Sequence, residues 1–430
     1  MKTTTSQLLE KRQRLLGSAY KLFYDEPLHI VKGEGVYLTD VNGKKYLDVY
    51  NNVPHVGHCH PKVVKALVSQ ASTLNTHTRY LHENILEYAE RLTGQFPHPL
   101  NKVMFACSGS EANELAMRVA RACTGGTGFI VTANAYHGNT HAVSQLSMSY
   151  PGWQLDRSEV EVIPAPDITH GKYTDKQTAA DDYATEVQRA IERLTSRGIK
   201  VAALILDTVF SSDGIVRFPG DFLGKAVPLL HGVGALFIAD EVQPGFGRLG
   251  SSMWGFERHQ VVPDIVTLGK PMGNGHPLSA MVTSGETMEN FCETTKYFNT
   301  FGGNPVSCAV GLAVLDVLEQ ECLMDNARVV GAYIEKELRS LQDRHEIISD
   351  VRGSGFFLGM ELAGPNGQPE TKKAELVVNR LKSQGVLIGV TGPSANVLKI
   401  RPPMPFTKEH ADIVVNNLDS VFDQLRRSPN

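Results

Sequence analysis

Between residues 60 and 320, short runs of apolar and β-branched side chains recur between stretches whose apolar positions fall three and four apart. The first pattern predicts buried strands and the second amphipathic helices. Strands are predicted over 103–106, 129–132, 201–206, 236–239, 265–268 and 280–283, and helices over 61–70, 111–121, 180–195 and 306–319, with one more after Gly138. Such alternation predicts an α/β protein with a mainly parallel, doubly wound sheet.

The flanks read differently. Residues 6–24 carry Leu8, Leu9, Leu15, Leu16, Leu22 and Phe23 among charges, a rough helical pattern. Two short apolar runs then flank Asn42-Gly43, a strong hairpin signal. Beyond residue 320, a helix over 326–341 precedes a glycine-broken strand pair in 351–362. A turn-rich loop, a helix over 371–384, strands near 386–390 and 396–401 and a last helix from Thr407 complete an α+β lobe. The chain divides on this reading into 1–55, 56–320 and 321–430.

Composition narrows the class of function. The chain has 430 residues, 42% hydrophobic and 20% charged, as in an ordinary soluble globular protein. A net charge of −4 implies no affinity for nucleic acid or an anionic membrane. No run approaches the roughly 18 apolar residues of a membrane span. The N-terminus leads into a charged amphipathic stretch and not an apolar leader. Six cysteines include no Cys-x-x-Cys pair, so no zinc site or redox dithiol is expected and no metal is called for. Such sparse use fits a reducing cytoplasm, the expected location.

Candidate chemistry sits at the ends of predicted strands, where ligands collect in open α/β sheets. Asp240 leaves the strand over 236–239, and Lys270 follows Gly269 at the end of 265–268. A lysine and an aspartate delivered there suit pyridoxal phosphate (PLP). The lysine forms a Schiff base with it, and the aspartate keeps the pyridinium nitrogen protonated. Ser108-Gly109-Ser110 follows a strand and opens a helix, a seat for phosphate. Equally, it could be a plain turn with Ser108 or Ser110 as N-cap. Tyr136-His137-Gly138 occupies the next crossing, where a tyrosine could cover a cofactor ring or simply fill the core. Thr300, in the glycine-rich run Thr300-Phe301-Gly302-Gly303, offers a hydroxyl to a phosphate or merely marks a flexible turn.

Taken in order, Ser-Gly-Ser-Glu-Ala-Asn-Glu, Tyr-His-Gly-Asn-Thr, Ala-Asp-Glu-Val-Gln, Gly-Lys-Pro-Met-Gly-Asn-Gly, Thr-Phe-Gly-Gly-Asn-Pro and Arg-Pro-Pro-Met resemble the class III PLP-dependent aminotransferases over nearly the whole chain. The resemblance implies PLP fold type I: a large domain, a small domain built from both chain ends, and a homodimer with active sites at the interface. It implies Lys270 as the Schiff-base lysine and Asp240 as partner of the pyridinium nitrogen. Gln243 is then expected near the ring hydroxyl, Gly109 and Ser110 at the phosphate, Tyr136 over the ring, and His137 in support of the ring pocket. Thr300 is expected to reach the phosphate of the neighbouring subunit's cofactor.

Finer features, among them the run Asn51 to Pro61, the run Leu74 to His82, and Asn396 to Met404, resemble one branch, the ethanolamine-phosphate and phosphohydroxylysine phospho-lyases. These split a 2-aminoethyl phosphate into an aldehyde, ammonia and phosphate. The expected reaction is therefore elimination of phosphate and ammonia from a small phosphorylated amine, with an ω-aminotransferase using pyruvate or 2-oxoglutarate as the alternative. A second phosphate calls for cations. Lys21, Arg79 and Arg401 are candidates, with His77 or His82 beside them. Arg401 matches the position where many aminotransferases hold a substrate carboxylate, so it argues either for phosphate or for a carboxylated substrate. Asp207 departs from the family, which commonly has glutamate there to gate that arginine; the shorter acid weakens a dual-substrate reading.

Overall fold

A computed structural model describes residues 4–150 and 155–427. Strands β1 (Ile30–Glu34), β2 (Tyr37–Asp40) and β3 (Lys45–Asp48) open the chain. Next come β4 (Leu100–Ala106), β5 (Gly128–Thr132), β6 (Val160–Ile163), β7 (Val201–Asp207), β8 (Leu236–Asp240), β9 (Ile265–Leu268) and β10 (Ser279–Ser284). The last third contributes β11 (Ile348–Ser354), β12 (Phe357–Leu362), β13 (Val386–Leu387), β14 (Gly389–Thr391) and β15 (Val397–Ile400).

Seven of these form the central sheet, in the order β4-β10-β9-β8-β7-β5-β6. The pairs from β9 to β6 are parallel, and β10 runs antiparallel to both neighbours. Its central strands are buried on both faces. That is why they read as unbroken apolar runs and not as alternation. The chain ends meet in a second sheet, β1-β2-β3-β13, where Val386 pairs in parallel with Leu47. A third sheet, β11-β12-β15-β14, completes the C-terminal part. One apolar core joins Val36, Leu47 and Val49 to Leu398, Ile400 and Phe422. The architecture is therefore that of PLP fold type I, a large parallel-rich sheet flanked by helices with smaller sheets beside it.

Two helices position the site. The helix Gly109–Thr124 starts where Ser108 Oγ accepts the Glu111 N–H at 3.2 Å, and stops at Gly125, whose left-handed φ of 66° suits glycine. The helix Pro305–Gln320 starts with Asn304 as cap and proline in its first turn. A side chain at Gly311 of this helix would come within 2.4 Å of the Tyr88 ring, so glycine lets the helix Glu83–Thr93 pack closely against it.

The N-terminal helix expected over 6–24 ends at Leu16, because Gly17 turns the chain with φ 59°. Helices Glu83–Thr93, Phe222–Gly232 and Gly285–Thr294 and strands β1 and β6 were not foreseen. Phe222–Gly232 holds Pro228, a residue that sequence rules read as a helix stop.

Candidate active site

A cleft opens at the carboxyl ends of β4, β8 and β9. Its lining includes Gly109, Ser110, Tyr136, His137, Asp240, Gln243 and Lys270. The tertiary structure thus brings together seven of the residues singled out from sequence.

Asp240 ends β8 and is buried. Its Oδ2 accepts from Asn113 Nδ2 at 2.9 Å and lies 2.7 Å from His137 Nδ1; its Oδ1 accepts the Val242 N–H at 3.1 Å. Three such contacts fix the orientation of the carboxylate. Lys270 follows β9, and its amine has no hydrogen bond among the described residues. Burial holds its proton affinity below the usual lysine range, the nearby Arg401 lowers it further, and Asp240 and Asp207 oppose both.

The backbone N–H groups of Gly109 and Ser110 have no acceptor among the described residues, as expected of a helix's first turn. They line the cleft with the positive end of the helix dipole behind them. A β-carbon on Gly109 would come within 2.8 Å of Val242 Cγ1, and one on Gly138 within 2.5 Å of Ser110 Oγ. Both glycines let the loop tips close on the cleft. Ser110 Oγ donates to Asn139 Oδ1 at 3.0 Å, so this hydroxyl belongs to a loop-to-loop bridge.

Arg401 is buried behind Gln243 and does not line the cleft. Its Nη1 donates to Gln243 Oε1, while Nε and Nη2 both reach the Tyr50 carbonyl at 3.2 Å. Lys399, two residues earlier on β15, donates to the same Gln243 oxygen at 3.3 Å. Both partners can only donate, so the Gln243 amide nitrogen must face outward, and it donates to Ser211 Oγ at 2.7 Å. Burial brings Arg401 down to about 10, and burial with Arg401 and Lys270 nearby depresses Lys399 strongly. Lys399 was quoted only inside a motif; its role shows once β15 places it on the same face as Arg401.

Asp207 ends β7 on the wall of the cleft and caps its own loop, accepting the N–H groups of Val209 and Ser211 at 3.0 Å each and the Ser211 hydroxyl. It forms no ion pair with Arg401, so it does not gate that arginine in this conformation.

The remaining candidates fall elsewhere. Lys21 is exposed and outside the cleft. His82 caps the helix Glu83–Thr93, its Nδ1 accepting the Asn84 N–H at 3.2 Å. His77, Arg79 and Thr300 also lie outside the chain's own cleft. His77 stacks on Tyr80 at 5.1 Å, and Arg79 lies over Phe298 at 4.1 Å, two residues from exposed Thr300. Sequence spacing could not place these three relative to the cleft, because the loops that carry them are positioned by contacts with each other and with β4. Asn113, whose amide holds Asp240, was overlooked; its spacing from Ser108 on one helix was the available signal.

The profile of Aminotransferase class-III matches residues 22–422. The chain belongs to the class III aminotransferases. A Drosophila melanogaster class III protein, alanine–glyoxylate aminotransferase 2-like, is 43% identical over 95% of this chain and 85% of its own. A phospholyase from Arthrobacter, solved in complex with phosphoethanolamine, is 41% identical and superposes with a TM-score of 0.95 over 97% of this chain and 100% of its own. An amine transaminase from an uncultivated Pseudomonas species, solved in its PLP-bound form, is 30% identical, with a TM-score of 0.85 over 93% of this chain and 95% of its own.

The cofactor of this class III chain is PLP. The residues present fit it: a buried aspartate held by Asn113 for a ring nitrogen and, among the described residues, helix N–H groups without an acceptor for a phosphate and a lysine amine free of other partners. Among the described residues no cluster of metal-ligating side chains occurs.

Proposed function

We propose that the chain is a PLP-dependent phospho-lyase that removes phosphate and ammonia from a small phosphorylated amine, ethanolamine phosphate, and leaves an aldehyde. The observation that carries this reading is the set of buried cations behind the cleft. Lys399 and Arg401 converge on one Gln243 oxygen, next to Lys270, while Asp207 on the cleft wall and buried Asp48 oppose part of their charge. Basic groups gathered this closely favour an anionic group in the cleft. The Arthrobacter phospholyase supports the same reading, since its complex holds phosphoethanolamine.

Bound PLP supplies an electron-accepting ring that stabilises negative charge on the carbon beside the substrate nitrogen. Lys270 then has two tasks, to hold the cofactor and, as a free amine, to take the proton from that carbon at Nζ. Its depressed proton affinity suits the second task, because more of the amine is unprotonated near neutrality. Asp240 would face the ring nitrogen and favour its protonated form. Gly109 and Ser110 would hold the cofactor phosphate through their N–H groups, and Tyr136 and His137 would wall the ring. Lys399 and Arg401 stabilise the substrate phosphate as its bond to carbon breaks. Phosphate leaves with the bonding electrons, water completes release of ammonia, and the carbon product is the aldehyde.

A homodimer is part of the proposal. His77, Arg79 and Thr300 share an exposed face with Leu74, Tyr80, Phe298 and Leu81, the last 98% exposed. An apolar patch of this kind marks an interface. From it the three polar residues would reach the partner's cleft. Leu81→Asp is expected to give monomers in size-exclusion chromatography.

The 43% identity to an alanine–glyoxylate aminotransferase 2-like protein favours a second reading, transamination. One assay separates the two. Purified holoenzyme is given ethanolamine phosphate without any keto acid. Aldehyde, ammonia and phosphate in equal amounts support the lyase. Turnover that requires a keto acid and releases no phosphate rejects it.

A further inference from the structure

Asn113 is buried in the helix Gly109–Thr124, and every polar atom of its side chain is engaged. Nδ2 donates to the His137 carbonyl at 2.7 Å and to Asp240 Oδ2 at 2.9 Å. Oδ1 accepts from Thr267 Oγ1 at 2.6 Å. Thr267 lies on β9 directly opposite Asp240 of β8, and its own carbonyl receives the Glu241 N–H at 2.9 Å.

These contacts allow one amide orientation. The His137 carbonyl and the Asp240 carboxylate can only accept, so the nitrogen must face them; the threonine hydroxyl must then donate to the oxygen. A reversed amide would set its oxygen against the carboxylate and leave a buried hydroxyl facing N–H groups. We infer that Asn113, locked by Thr267, is a positioning residue that sets the orientation of Asp240 and thereby the strength with which the chain holds its cofactor. His137 Nδ1 occupies the other approach to the same oxygen, and Oδ1 keeps the Val242 N–H as its sole protein partner among the described residues. The titratable groups facing Asp240 are His137, Tyr136, Lys270 and Asp207. None of them supplies the donor that Asn113 does, because His137 already makes its own bond and the other three follow different strands.

The inference needs only the cofactor and not the identity of the reaction, so its test uses no substrate. PLP dissociation constants are measured by titrating apo-protein, and the pH midpoint of the bound cofactor's visible absorption is recorded. Asn113→Ala removes a hydrogen bond to a charged group and is expected to weaken PLP binding about tenfold to hundredfold. It should also move the absorption midpoint. Thr267→Val keeps the shape of the threonine but frees the amide, and should weaken binding by about threefold to tenfold, less than the direct loss. Thr267→Ser keeps the hydroxyl and should stay within about twofold of the parent. Unchanged affinity and midpoint in Asn113→Ala overturn the inference, whatever happens to thermal stability. If Asn113→Ala does not fold, the Thr267 pair decides: equal behaviour of the valine and serine variants overturns it, and loss in the valine variant alone upholds it.

Discussion

Arg401→Met tests the proposed substrate class most directly. Arg401 is 4% exposed and pairs with no carboxylate among the described residues; its three bonds go to the Tyr50 carbonyl and the Gln243 amide. Methionine fills a similar volume without charge. Gln243 keeps Lys399 as a donor at 3.3 Å, so the lining of the cleft stays anchored. What disappears is one positive charge a single side chain behind the cleft. Two unit charges about 7 Å apart, at an effective dielectric near 20, interact by about 2 kcal/mol. That corresponds to roughly thirtyfold in kcat/KM, read as initial rates of phosphate release from ethanolamine phosphate. Stability should hold or rise, because a buried cation that makes no direct ion pair is replaced by an apolar group. A kcat/KM within about twofold of the parent, in a variant that binds PLP normally, would refute the charge argument.

Three further outcomes follow from the same site. In apo-protein, burial and Arg401 lower the proton affinity of Lys270, so an amine-selective reagent should label it at pH values below the ordinary lysine range, and Arg401→Met should shift that labelling profile upward; a superimposable profile rejects the coupling. Glu241 is fully buried among the Thr208 hydroxyl and the N–H groups of Gly255 and Phe256, and burial raises it from 4.5 to about 7. A raised carboxyl binds its proton more tightly in the folded state, so its contribution is present at low pH and lost as pH climbs through that window; denaturant titrations across it should show a flatter slope for Glu241→Gln than for the parent. Gly138→Ala would set a β-carbon 2.5 Å from Ser110 Oγ at a φ of 144°, and should cost about 1–3 kcal/mol of stability and release PLP during gel filtration; a variant that retains both removes the close approach from the argument.

Most of the architecture was legible in order. Parallel strands buried on both faces must be apolar throughout, so β5, β7, β8 and β9 announced themselves as runs, and the helix Gly109–Thr124 showed as an apolar period over 111–121 with Ser108 or Ser110 as its N-cap. Other elements did not stand out in this way. β6 is four residues long, and Phe222–Gly232 tolerates Pro228 through packing that no local rule contains.

The chain alone singled out candidate groups for the chemistry, because a lysine after one strand, an aspartate after another and a Gly-Ser turn before a helix are local facts of order and spacing. Tertiary structure decided which groups act on which. Gln243 and Arg401 are 158 residues apart and share a hydrogen bond, Asn113 holds Asp240 from 127 residues away, and Asp207 serves its own loop while Lys399 stands unforeseen beside Arg401. Hydrogen bonds and fields depend on distances of a few ångströms between side chains, and only the crossing of strands and helices in space sets those distances.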